Sequence, residues 1–160
     1  MKLRLFHAKI LSAPDAEPFD GELHMEGGKI VYAGSTDSAK DFSADREVDC
    51  GGNLLMSSFC NAHAHSAMCL FRGIADDLPL EDWLYDRIFP LEKNLTQDDV
   101  YWGTMLQIAE YVRNGITCVA DMYFYPEAVV AAAKNADLCL ALCYPSNSYA
   151  KGGILSEIGK

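Results

Sequence analysis

Positive charge is scarce in this sequence. Thirteen Lys and Arg stand against 23 Asp and Glu in 160 residues, a formal net charge of -10. Such a chain repels a phosphate backbone, which argues against nucleic acid as a partner. Long apolar runs are missing too. Half of the residues are hydrophobic, but no stretch approaches the ~20 apolar residues of a membrane-spanning helix. The N-terminus opens with basic residues, yet His7 and Lys9 break its apolar run and the pattern alternates as a strand does. No signal peptide is therefore expected. None of the six cysteines belongs to a Cys-x-x-Cys pair. Cys139 and Cys143 share one face of a predicted strand but lie too far apart to bridge readily. Reduced, mostly buried thiols in a cytoplasmic protein are the expectation. Internal repeats and low-complexity tracts are absent as well.

What is present falls into two parts. Residues 1–55 read as short strands bounded by turns, part of a small N-terminal β-sandwich. Lys2–Leu11 alternates. Glu22–Glu26 and Lys29–Ala33 flank Gly27-Gly28, a strong hairpin turn. Arg46–Asp49 is a further short strand, followed by Gly51-Gly52. Residues 56–160 change character. Leu54–Phe59 leads into Cys60-Asn61-Ala62-His63-Ala64-His65. Asp82–Phe89 reads as a helix ended by Pro90. Thr96–Asn114 is a stronger helix, with Thr96 as N-cap, Asp99 in a capping-box position, and Tyr101, Met105, Ile108 and Val112 as its apolar stripe. Ile116–Met122 is a buried strand, Pro126–Ala136 a helix opened by proline, and Leu138–Tyr144 another buried strand.

The order from residue 59 onward is strand, helices, strand, helix, strand, the βαβ grammar of a parallel sheet. The fold class is thus α/β: the first units of a TIM-type barrel behind a small β-sandwich. Three strands do not close an eight-stranded barrel. The expectation is an incomplete barrel with an open sheet edge, prone to aggregate if expressed alone.

Four histidines occur in all, and two of them form His63-Ala64-His65. Residues two apart on a strand share a face, so Asn61, His63 and His65 are expected to point one way and Cys60, Ala62 and Ala64 the other. Polar groups on a buried strand are costly unless used. Two neutral imidazoles on one face can bind one metal ion, and they end the first strand of a βαβ series, where active sites form. His7 and His24 fall among the N-terminal strands and read as structural or solvated.

The run Asn61-Ala62-His63-Ala64-His65, Met68, Arg72-Gly73, Asp76-Asp77, Trp83-Leu84 and Pro90-Leu91-Glu92 resembles the amidohydrolases that deaminate nucleobases and nucleosides or dechlorinate triazines. Within them it looks most like the 5'-methylthioadenosine/S-adenosylhomocysteine deaminases. Gly115-Ile116-Thr117 and Asp121-Met122-Tyr123 continue the pattern, and Ser57-Ser58 departs from the usual Pro-Gly before the strand. The resemblance implies hydrolytic deamination of an adenosine-type substrate. One divalent metal, expected to be zinc, would activate the attacking water, with ammonia as the leaving group. His63 and His65 would be two metal ligands, and the remaining ligands and the general acid/base would come from later barrel strands. Glu92, in a loop after Pro90, is either a solvated carboxylate or, as the resemblance implies, the acceptor for both ribose hydroxyls. Trp83 is either core or a wall of the substrate pocket. Asp76 and Asp77 read as turn formers, with Arg72 pairing with one of them, and Asp121 as an orienting residue rather than a ligand. Some such deaminases place an Arg near the end of the third strand; here Cys143-Tyr144-Pro145 has none. The partner is a small-molecule substrate, with a homo-oligomer possible and neither nucleic acid nor membrane. A chlorohydrolase, a nucleobase deaminase, or an inactive fragment serving as an assembly module are the alternatives.

Overall fold

The computed structural model describes residues 1–39 and 41–143, and the chain divides into two compact units, Met1–Ser57 and Ser58–Lys160.

The first unit is one five-stranded sheet: β1 (Lys2–Leu11), β2 (Phe19–Glu26), β3 (Lys29–Gly34), β4 (Arg46–Asp49) and β5 (Leu54–Met56). Where the sequence points to part of a sandwich, no second sheet occurs among the described residues of this unit. The β2–β3 hairpin turns on Gly27 and Gly28, both at positive φ (59° and 81°), the pairing that a tight primed turn requires. β1 is the central strand. Its register slips between Leu5 and Ala8, and His7 sits in that slip at φ 51°. The kink lets two strands share one edge: β4 pairs with Leu3–Phe6 and β5 with Lys9–Leu11, both parallel. His24 is buried, its Nε2–H donates to Glu22 Oε1 at 2.7 Å, and its ring stacks on Phe42. Glu22 also accepts from Arg4 at 2.6 Å. Both histidines of this unit are therefore structural or exposed, His7 lying 3.1 Å from Asp49.

In the second unit, β6 (Phe59–Ala64), β7 (Ile116–Asp121) and β8 (Cys139–Leu142) form an open, parallel three-stranded sheet in that order. Helices α3 (Gln97–Arg113) and α4 (Pro126–Asn135) supply the apolar cover. Ala64, Ile108, Tyr111, Val119 and Ala132 form one core cluster, and Ala67, Val100, Ala128 and Val129 another. Thr96 and Asp99 complete the expected capping box. Tyr144 and Pro145 lie outside the described residues.

Three expectations are corrected. Of the expected stripe on α3, Tyr101, Met105 and Ile108 pack on the core but Val112 is exposed, and the fully buried positions are Val100, Gly103, Thr104, Ile108 and Tyr111. The helix packs partly through small residues, which carry no hydrophobic signal: Gly103 lies against the 3-10 turn Ser66–Phe71, where a Cβ would come within 2.9 Å of Leu70. Second, Pro90 does not end its helix. A segment α1 (Leu80–Asp82) continues through a π-helical stretch, Trp83–Ile88, into α2 (Phe89–Glu92). The wider π turn resets the hydrogen-bond register, so Pro90 falls in the first turn of α2, where its missing N–H is tolerated. Glu92 thus ends a helix rather than standing in a loop. Third, the thiols are not mostly buried: Cys60, Cys139 and Cys143 are exposed and the other three half-buried.

Candidate active site

The histidines reach their positions through a defect in β6. Asn61 is in register with Val119, and Ala64 with Asp121. Three steps along β6 thus match two along β7, an inserted residue of the bulge type. Register partners in parallel strands face the same side. Asn61 therefore faces the helices with the buried Val119. The bulge then changes the phase of the strand. Ala64 still packs in the helix-side core, and His63 is exposed on the open face. Strict alternation placed Asn61 beside the histidines; the bulge separates them. Asn61 still serves locally, its Oδ1 accepting from the His63 backbone N–H at 3.2 Å.

His65 follows at the C-terminal end of the strand. Its Nδ1 lies 2.6 Å from the Met122 carbonyl. A carbonyl only accepts, so Nδ1 carries the proton and Nε2 keeps its lone pair. The link is braced from the other direction, because the Met122 N–H donates to the Ala64 carbonyl at 3.0 Å. The His63 and His65 rings stand nearly perpendicular with centroids 5.0 Å apart, and no described residue hydrogen-bonds the His63 ring. Asp121, almost wholly buried, accepts from the Ser66 N–H through both oxygens at 3.2 and 3.3 Å. It holds the backbone just after His65 and faces away from the imidazoles.

Tyr123 links this corner to Glu92. Its ring lies 6.5 Å from that of His65, and its hydroxyl donates to Glu92 Oε1 at 3.0 Å. Burial pushes the Glu92 carboxyl above the usual range, while the Tyr123 hydroxyl and the nearby His65 partly oppose this. The Tyr123 phenol is pushed strongly up, first by burial and then by the Glu92 charge beside it, so it remains a donor. The sequence places Met122 and Tyr123 in the family pattern but gives neither a role in the site. The available signal was their place just after a barrel-type strand, where site residues collect.

Trp83 is half-buried and stands apart from Glu92. It lines a cleft of about 320 Å³ with Met68, Cys69, Arg72, Asp76 and Ile88 among others, whereas Glu92 borders a separate cleft of about 480 Å³. Arg72 pairs with neither Asp76 nor Asp77. Its guanidinium grips Glu110 of α3 through two bonds of 2.8 and 2.9 Å. Asp77 is a turn former at φ 60°.

The donors fit a borderline cation such as zinc: a neutral imidazole oriented by a backbone carbonyl is the usual support of a histidine ligand. Two donors alone make a weak site, and among the described residues no group of three or more His, Cys, Asp or Glu converges on one point.

Residues 54–155 match the amidohydrolase family model. The chain belongs to the amidohydrolase family. It is 47% identical over 127 residues to a 5-methylthioadenosine/S-adenosylhomocysteine deaminase of Syntrophobacter fumaroxidans, covering 78% of this chain and 29% of that protein. A zinc-bound adenosine deaminase structure from Xanthomonas campestris superposes with a TM-score of 0.80 at 34% identity, covering 86% of this chain and 32% of that one. A triazine hydrolase variant superposes with a TM-score of 0.76 over 89% of this chain and 35% of its own, but at 19% identity it speaks for the fold alone. This amidohydrolase chain thus spans about a third or less of the length of these relatives. No described helix is long and apolar enough to cross a membrane.

Proposed function

We propose that this chain carries two metal ligands, His63 and His65, and the ribose-binding carboxylate, Glu92, of a metal-dependent deaminase acting on adenosine-type nucleosides. The observation that carries the reading is the His65 imidazole, locked by Met122 with Nε2 free beside His63 and joined through Tyr123 to Glu92. A divalent ion such as zinc, when bound, supplies activation of water for attack at the amino-bearing ring carbon. The residues of this chain do the rest of what is proposed here. Met122 fixes the His65 tautomer, and Asp121 fixes the backbone after it. Tyr123 engages one carboxylate oxygen of Glu92. The other oxygen remains available for a vicinal diol, which brings donors to a group that offers only acceptors. The similarity to nucleoside deaminases at 47% and 34% identity supports this class over the triazine hydrolases, which share only the fold.

The test uses the protein carrying this sequence at its natural length. Metal content is measured alongside ammonia release from adenosine and 5'-methylthioadenosine. Stoichiometric zinc and turnover are expected, and both are lost in His63→Ala and His65→Ala. Full zinc retention by the double variant, or no turnover of any adenosine nucleoside by the metal-loaded protein, overturns the assignment.

A further inference from the structure

Three of the six cysteines stand in one row across the parallel sheet of the second unit. Cys60 of β6 is in register with Cys118 of β7, and Cys118 with Cys139 of β8. Val119 is buried against the helices, and neighbours along a strand face opposite sides, so Cys118 faces the open side of the sheet. Register partners share a face, which puts all three thiols there. Cys60 and Cys139 are exposed and Cys118 is half-buried. Each lies in the first half of its strand, the end away from His65. In barrels of this kind that end serves stability rather than chemistry. The Cys118 thiol donates to Cys139 Sγ at 3.4 Å, about 1.4 Å beyond a bonded pair. Adjacent strands run about 4.8 Å apart, inside the roughly 4.4–6.8 Å between Cα atoms that a disulfide spans. A row is not a chelate. Cys60 and Cys139 belong to strands two spacings apart, about 9.6 Å, and the three thiols do not converge on one ion. What they can do is bond in pairs.

We infer that Cys118 forms a reversible disulfide with Cys139 and exchanges it to Cys60, a redox modification site at the N-terminal end of the sheet. The oxidant is a small disulfide of the glutathione type. The exposed Cys139, as thiolate, attacks one of its sulfurs, forms a mixed disulfide and expels one glutathione thiolate. Cys118 then attacks Cys139 Sγ and expels the second. The protein loses two protons and two electrons, and the oxidant becomes two thiols. The order of these steps follows from the row. The Cys118 thiol is pushed up to about 11, first by its hydrogen bond to Cys139, then by burial and the Cys60 thiol, so it is a poor first attacker. Capping Cys139 takes away its charge and weakens that bond, which frees Cys118 to ionise for the second step. Exchange proceeds by attack of a thiolate on a disulfide sulfur, along the S–S axis. Cys60 reaches Cys118 from the side opposite Cys139, so it displaces the Cys139 thiolate with no net change in oxidation state.

The experiment incubates the fully reduced protein at its natural length with oxidised glutathione, blocks the remaining thiols, and maps the linkages by tandem mass spectrometry. The Cys118–Cys139 link is expected as the main product, and dithiothreitol should remove it. In Cys139→Ser the link should move to Cys60–Cys118. In Cys118→Ser neither link forms, and glutathione should accumulate on Cys139 above its level in the parent. A cooperative melt reports folding, and Cys118→Ala replaces Cys118→Ser if the latter loses it. The site is overturned if Cys118 stays a free thiol in excess oxidised glutathione, if it links chiefly to Cys69 or Cys143, or if Cys139→Ser yields no Cys60–Cys118 link. Equal glutathione on Cys139 with and without Cys118 overturns it too.

Discussion

Tyr123→Phe removes a single oxygen from the centre of the proposed site. The lost bond is the one from the Tyr123 hydroxyl to Glu92 Oε1, 3.0 Å long. A hydrogen bond to a charged group contributes about 1.5–3 kcal/mol. Glu92 is only partly buried, and water can take the vacant place, so a value at or just below the bottom of that range applies, about 1–1.5 kcal/mol after discounting for solvent. If Tyr123 fixes the carboxylate for the ribose diol, kcat/KM for adenosine nucleosides should fall about five- to tenfold. A 2',3'-dideoxy analogue should be affected much less. The pH dependence has a definite sign. The Tyr123 hydrogen bond holds the Glu92 carboxyl below where burial alone would put it. Its removal raises the Glu92 pKa, so the ionised form is lost at higher pH and the acid limb of kcat/KM moves upward. Metal content should not change, since Met122 and not Tyr123 holds His65. The assay is a pH profile of ammonia release for wild type and variant on both substrates, with zinc quantified in each preparation. An equal loss on the diol and dideoxy substrates, or an acid limb that moves downward, refutes the reasoning.

Two further outcomes concern stability. Gly103→Val thrusts a branched side chain at Leu70 and at the Ala67 backbone, where even a Cβ would stand 2.9 and 3.2 Å away; a loss of about 1–3 kcal/mol is expected, read as a lowered Tm, and an unchanged melt would mean that α3 does not pack on the Ser66–Phe71 turn. In the first unit, burial raises the Glu22 pKa, but hydrogen bonds from Arg4 and His24 outweigh it and the net shift is downward. A depressed carboxyl contributes stability above its unfolded pKa of about 4.3, and that contribution is lost as pH falls through the folded value. Arg4→Met should therefore cost about 2–3 kcal/mol near neutrality, by leaving the Glu22 carboxylate buried with one partner fewer. The gap between variant and wild-type melting curves should narrow below about pH 4, and a gap that widens in acid contradicts the network.

The sequence made the elements legible where a local signal was strong. Gly27-Gly28 marked the hairpin, the Thr96–Asp99 box marked the start of α3, and βαβ order marked a parallel sheet. It was silent where backbone or small residues carry the structure. Gly103 has no side chain to register in an apolar stripe, so a stripe read from apolar residues finds Tyr101, Met105 and Ile108, which pack on the core, but misses Gly103 and Thr104 and extends to the exposed Val112. Pro90 reads as a stop because an α-helix does not hold proline in its interior, yet a π turn upstream gives it a first-turn position.

The bulge in β6 is the most consequential of these silences. A period of two predicts that Asn61, His63 and His65 share a face, and no residue in Asn61-Ala62-His63 announces an inserted step. Pairing with β7 imposes the extra residue, and pairing is a long-range property. Its effect is chemical as well as geometric. With the phase unbroken, Asn61 would stand on the open face beside the imidazoles and contribute an amide that competes for an ion or a substrate. With the bulge, that amide is turned to the helix side, its oxygen accepting from the His63 N–H, and Ala64 fills the core beneath the histidines. The open face is thereby left to two imidazoles, one of them tautomerically fixed by a main-chain carbonyl. Deleting Ala62 should let Asn61, His63 and Ala64 match Val119, Ala120 and Asp121 one for one, with Asn61 still on the helix side but the backbone at His63 no longer bulged; zinc binding should weaken, and a deletion variant that still binds zinc as tightly as the parent would show that the bulge does not set the ligand geometry.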